Sequence, residues 1–212
     1  MQKVKVWDLA TRLYHWVQAI VFSGLVITGF NGQGPHIQLG LILFTLLIWR
    51  VIWGFIGSES SQFRAFLKNP KTIVQYVFGK TISYVGHNPL GALMVVTMLG
   101  LLFLQCVTGM LLAGIFDGLE SVGFVIPESL YDVAGTFHIV LADILPMIIA
   151  LHVGAIIVYK LGGKSLVMAM FTGHQRLNRD AHAPILSSNV KALLVLIFSI
   201  LVTMAIVAIS MV

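Results

Sequence analysis

A single cysteine, Cys106, leaves no internal disulfide and no C-x-x-C-H site to which a haem could be attached covalently. Charge is also scarce: only 10% of the 212 residues are Asp, Glu, Lys or Arg, against 58% apolar, and the mean hydropathy is +0.96. These values exclude an ordinary soluble domain. Strand-period alternation of apolar and polar residues is missing, which excludes a transmembrane barrel. No polar stretch is long enough for a soluble domain, the longest connection running over about residues 58 to 88.

What is present is apolar length. Runs at roughly 13 to 31, 36 to 57, 89 to 116, 135 to 161 and 190 to 212 each reach the ~20 residues a helix needs to cross about 30 Å of hydrocarbon. The fold class expected is therefore an all-α integral membrane protein, a four-helix bundle with a fifth C-terminal transmembrane helix. Lys3, Lys5 and Arg12 ahead of the first run raise the alternative of a signal peptide. That run ends in "ITGFNGQGPH", with no small-x-small cleavage pattern, so it is kept as the first span.

Lys and Arg are absent from the connections at 32 to 35 and 117 to 134. With the N-terminus inside, all 13 basic residues fall in or toward cytoplasmic segments: Lys3, Lys5 and Arg12; Arg50, Arg64, Lys68, Lys71 and Lys80; Lys160, Lys164, Arg176, Arg179 and Lys191. The net charge of +5 thus reports topology rather than nucleic-acid binding. The expected location is a bacterial inner membrane, with the C-terminus periplasmic. The outer connection "FDGLESVGFVIPESLYD" carries Asp117, Glu120, Glu128 and Asp132 without a cation. Within the 58 to 88 connection, Asn69 as a cap, Pro70 at the first helical position and Gly79 as a stop predict a short helix on the inner membrane surface. The fifth run contains no ionisable residue after Lys191 and is expected to face lipid.

The fourth run, "FHIVLADILPMIIALH", opens and closes with histidines, His138 and His152. Fourteen residues advance about 21 Å and return to within about 40° of the starting face, so the two imidazoles look the same way at two depths. His36 starts the second run at the outer depth and His15 lies in the first at the inner depth, which pairs His36 with His138 and His15 with His152. Asp143, about 140° from His138, falls off that face. Pro146 is expected to kink the helix.

Two imidazoles at each depth do not complete a zinc site, which takes four ligands. A haem brings four ring nitrogens and asks the protein for two axial ligands, so two non-covalent haem b groups fit, with the four histidines as iron ligands. Glycines 24, 29, 100 and 109 leave room for a ring to approach the backbone. Arg50, 14 residues after His36, is the first candidate partner for an inner haem propionate and Arg12 the second. Trp7 and Asp8 are read as an interfacial anchor, with the border of a quinone pocket as the alternative.

The segments "VKVWDLATRLYHW", "HIQLG" leading to "WRVIWGFIG", "GHNPLGALM", and His138 and His152 followed by "MAMFTGHQR" resemble the bacterial cytochrome b561 family, which includes the b-type subunits of nickel-iron hydrogenases. The resemblance covers about residues 4 to 176. It implies a four-helix domain holding two b haems by two bis-histidine pairs, at positions matching His15, His36, His138 and His152. The domain expected is 1–176, followed over 177–212 by a linker and the additional helix. His87, inside the family-like stretch, is expected at the cytoplasmic surface as a hydrogen bonder, with His174 and His182 as solvated loop residues.

The function expected is transfer of electrons across the membrane between the quinone pool and an external partner, a c-type cytochrome or a hydrogenase-like enzyme, with no separate catalytic residue. Two rivals differ in kind. A superoxide oxidase passing electrons to quinone would favour a basic outer mouth, which this chain lacks. A histidine-based metal or proton transporter would carry no haem band.

Overall fold

Three of the five long helices, those starting at Leu9, Pro89 and Asn189, begin at a side-chain cap supplied by the sequence. Asp8 precedes α1 (Leu9–Asn31) and accepts the Thr11 amide through its side chain, and the helix stops at Gly32, whose φ of 63° places it in the left-handed region. The same Asn-Pro device starts two other helices. Asn69 caps α4 and Asn88 caps α5, each accepting the amide three residues on, while the following proline sits in the first turn, where no amide proton is required. The "GHNPLG" stretch is thus, in part, a helix start.

The computed structural model describes residues 2–79, 84–177 and 182–211; Lys80 and Arg179 of the basic set lie outside them. In chain order, strand β1 (Gln2–Lys5) leads into α1, then α2 (His36–Ile56), the short α3 (Phe63–Phe66), α4 (Pro70–Val77), α5 (Pro89–Leu112), α6 (Glu128–Leu161), α7 (Leu166–Thr172), strand β2 (His174–Leu177) and α8 (Asn189–Ile209). Among the described residues five helices, α1, α2, α5, α6 and α8, are long and apolar enough to cross a membrane, so the chain is a multi-pass membrane protein. The short surface helix expected after Asn69 is present as α4, and none of its residues is buried.

Helices α1, α2, α5 and α6 form the bundle. They close on an apolar core that includes Val21, Leu43, Phe44, Leu47, Leu102, Cys106 and Leu145. Helix α6 begins at Glu128, earlier than the apolar run at 135, and continues through Pro146 without interruption. A proline lacks the amide for one intrahelical bond, and in a helix of 34 residues that loss does not end the element.

Helix α8 departs from the expectation of a purely lipid-facing span. Ala192, Val195, Ser199 and Thr203, one face at helical spacing, are buried against α2. The Thr45 hydroxyl donates to Thr203 at 2.9 Å, and the Trp49 indole donates to the Ala192 carbonyl at 3.0 Å. In hydrocarbon such bonds hold helices together when apolar burial offers no advantage over lipid. The opposite face, with Leu193, Leu194, Leu201 and Met204, stays exposed.

At one end of the bundle β1 pairs antiparallel with β2, Lys3 opposite Arg176 and Lys5 opposite His174. Val4, Val6 and Trp7 are buried there with Ala169. Trp7 is therefore a core residue, 5% exposed, and not an interfacial anchor. Lys191 donates to the Ile56 carbonyl and Lys164 to the Tyr84 hydroxyl at this same end. At the other end the acidic connection packs on the C-terminus of α8, where a side chain on Gly118 would collide with the Ile209 carbonyl.

Candidate cofactor site

His36 stands at the first position of α2 and His138 in the second half-dozen residues of the exposed N-terminal part of α6. The bundle brings their rings to 6.3 Å between centroids. Each ring rests on a Thr-Gly dipeptide of a neighbouring helix. Thr28 Oγ1 lies 3.0 Å from His36 Nδ1, and Thr108 Oγ1 lies 3.1 Å from His138 Nδ1. A Cβ on Gly29 would come within 3.1 Å of His36 Cε1, and one on Gly109 within 2.8 Å of His138 Cε1. Of the four glycines singled out in the sequence, these two seat the imidazoles; Gly24 packs on Leu39, and Gly100 faces open space.

A cavity of about 620 Å³ opens beside the pair, walled mainly by apolar side chains such as Leu43, Leu102 and Leu145. Asp143 borders it, contrary to the expectation that helical phase keeps this residue away from the ligand face. The cavity extends more than a turn along α6, so a residue 140° round the helix still reaches its edge. Gln105 Nε2 sits 3.2 Å from His138 Nε2, while its Oε1 is buried without a hydrogen-bond partner.

The other histidine level lies toward the basic end. His15 and His152 are electrostatic neighbours, and His87 lies within electrostatic reach of both. His87, expected at the surface as a hydrogen bonder, is half-buried. Its ring packs against Trp7 and Phe66, each at 4.8 Å, and its Nδ1 is buried and unpartnered. Burial, and next the nearby Arg50 charge, push its pKa down to about 3, so the imidazole is neutral. Arg50 does not snorkel to the surface: it is 4% exposed, its guanidinium lies 5.2 Å from the Phe63 ring centre, and Nη1 has no hydrogen-bond partner. Tyr14 Oη and His15 Nδ1 are likewise buried and unpartnered, and Tyr14 is an electrostatic neighbour of Arg50. Arg12, by contrast, donates to the backbone carbonyls of Phe171 and Asp8 and ties α1 to α7.

These residues fit haem. Two imidazoles facing one metal ion at bonds of about 2.0 Å place their ring centres about 6 Å apart, close to the 6.3 Å observed. Buried polar groups without a partner cost about 1–3 kcal/mol each. Arg50 Nη1, Tyr14 Oη and His87 Nδ1 in one neighbourhood therefore suit an acceptor-rich anionic group such as a propionate. Among the described residues no three His, Cys, Asp or Glu side chains gather as a metal-ion site.

The sequence signal that escaped notice is the repeated dipeptide, Thr28-Gly29 in "VITGF" and Thr108-Gly109 in "CVTGM". Each supplies a hydroxyl and a gap one residue apart. His87 escaped because its burial depends on Trp7 and Phe66, which lie far from it in sequence.

Three similar proteins are each described as a probable Ni/Fe-hydrogenase B-type cytochrome subunit. That of Rhodobacter capsulatus is 24% identical over 140 residues, 50% of this chain and 53% of the relative. That of Rhizobium leguminosarum bv. viciae is 25% identical over 152 residues, 57% and 64% of the two chains. That of Azotobacter chroococcum mcd 1 is 27% identical over 121 residues, 42% and 50%. The chain thus spans between half and somewhat under two-thirds of the length of these relatives. No solved structure matches. The family model for prokaryotic cytochrome b561 matches residues 6–173, which takes in both histidine levels and both Thr-Gly docks, and the chain belongs to that family.

Proposed function

We propose that this b-type cytochrome carries electrons across a bacterial inner membrane between an external redox protein and the quinone pool, using two haem b groups. The outer one is held by His36 and His138, the inner by His15 and His152. Haem, when bound, supplies the one-electron chemistry; the chain supplies ligands, depth and access. The observation that carries the reading is the His36–His138 pair, two imidazoles from different helices facing each other at 6.3 Å beside an apolar cavity.

The other residues have matching roles. His138 and His152 on one helix set the two levels about 21 Å apart along the membrane normal. Arg50, held in the protein with an unpartnered Nη1, binds an inner propionate; Arg12 is left to its backbone partners. The gathering of basic residues at the β1–β2 end supports a cytoplasmic N-terminus, with the acidic connection and the C-terminus outside. A hydrogenase-like subunit is the favoured external partner, on the ground of the relatives' descriptions. A c-type cytochrome with a basic face would also suit the acidic connection.

Optical redox titration of the purified protein tests this. Two b-type components are expected. His36→Ala and His138→Ala should each remove one of them, and His15→Ala and His152→Ala the other. A protein with no haem band, or one in which His36→Ala and His152→Ala abolish the same component and spare the other, would end the reading.

A further inference from the structure

We infer that Thr28 and Thr108 are the positioning residues of the outer haem, and that they make it the more reducing of the two, so that electrons entering from outside run inward. The inference rests on the reading of His36 and His138 as iron ligands.

A threonine hydroxyl has one proton. Thr28 Oγ1 gives its proton to the Gly24 carbonyl at 2.8 Å, one turn back along α1, and Thr108 Oγ1 gives its own to the Leu104 and Gln105 carbonyls, each at 3.0 Å. With each hydroxyl proton on its helix carbonyl, the threonine oxygen is left to accept from the ring, and this arrangement assigns the hydrogen to Nδ1. For His138 two further contacts agree. The Gln105 carbonyl, an acceptor, lies 3.2 Å from Nδ1, and the Gln105 side-chain amide nitrogen, a donor, lies 3.2 Å from Nε2. Both contacts favour the same assignment for His138, which gives Nε2 the lone pair that a metal would take in place of the Gln105 amide. Gly29 and Gly109 make the contact possible by leaving the space into which Cε1 fits.

An Nδ1–H···O bond makes the opposite nitrogen more basic and so favours ferric over ferrous iron, lowering the potential. The inner level is built the other way. His15 Nδ1 is buried with no acceptor, and the Arg50 guanidinium is buried within electrostatic reach of His87, with the Asp8 carboxylate only partly offsetting it across the remaining distance. A cation in a poorly solvated site favours the reduced state, which carries one positive charge fewer. The two levels are therefore graded, outer below inner.

The test is a redox titration of the holoprotein followed by optical and electron paramagnetic resonance spectroscopy. The outer component is identified as the one lost in His36→Ala. In the unaltered protein its midpoint should be the lower. Thr28→Val and Thr108→Val keep side-chain volume but lose the acceptor. Each should leave both haems bound, raise the outer midpoint, change the outer low-spin g values and leave the inner midpoint unmoved, and the double variant should shift it further. Thr28→Ser and Thr108→Ser should restore both readouts. If the valine proteins do not accumulate, the serine and alanine pair at each position carries the same comparison. Valine or alanine proteins with bound haem and an unshifted outer midpoint would reduce these hydroxyls to helix packing. An outer midpoint above the inner one would overturn the grading. Failure of His36→Ala to remove any haem would instead sink the ligand assignment itself.

Discussion

The two histidine levels solve one problem in opposite ways. At the outer level both rings are seated on Thr-Gly docks, and both Nδ1 atoms have a hydrogen-bond partner. At the inner level Tyr14 Oη, His15 Nδ1, Arg50 Nη1 and His87 Nδ1 are all buried and unpartnered. Buried polar groups in native proteins nearly always have partners. If these histidines ligate haem as proposed, the outer level is preorganised toward the iron, whereas the inner one is organised around the charge of what it would hold. The difference teaches that the same ligand chemistry can be positioned by the protein or completed by the ligand, with consequences for potential and stability.

The largest effect that would break this contrast comes from filling a dock. In Gly109→Ala the new methyl would lie 2.8 Å from His138 Cε1, closer than side-chain carbons approach, and α5 cannot yield without moving the core. The outer haem should be lost or reduced to a small fraction, as read from the pyridine haemochrome content. Gly29→Ala, with 3.1 Å to His36 Cε1, should lose less, and Gly100→Ala, in open space, nothing. Equal losses at all three positions would show that the docks are not specific.

Arg50→Gln sharpens the contrast from the other side. Removing a buried cation should lower the inner midpoint and leave the outer one in place, with both haems retained. If instead the outer midpoint moves more, Arg50 belongs to the other level.

A smaller effect follows from His87. Its pKa, about 3 in the folded protein, lies below the ordinary histidine value of 6.5, so the unfolded chain binds a proton more readily than the folded one. The stability this group contributes is present above pH 6.5 and is lost as pH falls from there toward 3. Thermal denaturation followed at the inner haem band should therefore show a fall in midpoint across that acid range, and His87→Gln should flatten it. A slope unchanged by His87→Gln would assign it to other groups.

The smallest effect concerns the acidic connection. Asp117 accepts from the Tyr131 hydroxyl at 2.5 Å and so pins the connection to the start of α6, leaving Glu120, Glu128 and Asp132 for long-range attraction. Changing these three to amides should slow electron exchange with a basic cytochrome a few-fold at low salt. The difference should fade near 0.15 M, where screening acts over roughly 8 Å. Rates that ignore both salt and substitution would show the carboxylates to be solubilising only.

Much of this protein was legible because its signals are local. The five spans follow from apolar length, α4 from the Asn69-Pro70 start and Gly79 stop, and the His36–His138 juxtaposition from depth and helical phase. Where phase alone was applied too strictly, as for Asp143, a wide cavity defeated it. The β1–β2 pairing escaped the sequence because four residues show too little period to register, and their partners stand some 170 positions away. The packing of α8 on α2 escaped for a related reason: an isolated Ser199 or Thr203 in an apolar run looks the same whether it meets a helix or lipid.

By itself the sequence determined that the chain spans a membrane five times, which end is basic, and at which depths its imidazoles lie, since hydropathy, charge and a fixed rise per residue are properties of single segments. The tertiary structure alone decided that the Nδ1 atoms of His36 and His138 meet threonine hydroxyls, that His87 packs half-buried against Trp7 and Phe66, and that Arg50 is buried with a hydrogen-bond donor to spare. Those facts depend on which atoms of distant helices come within about 3 Å of one another, and in lipid only the close packing of whole helices sets such distances.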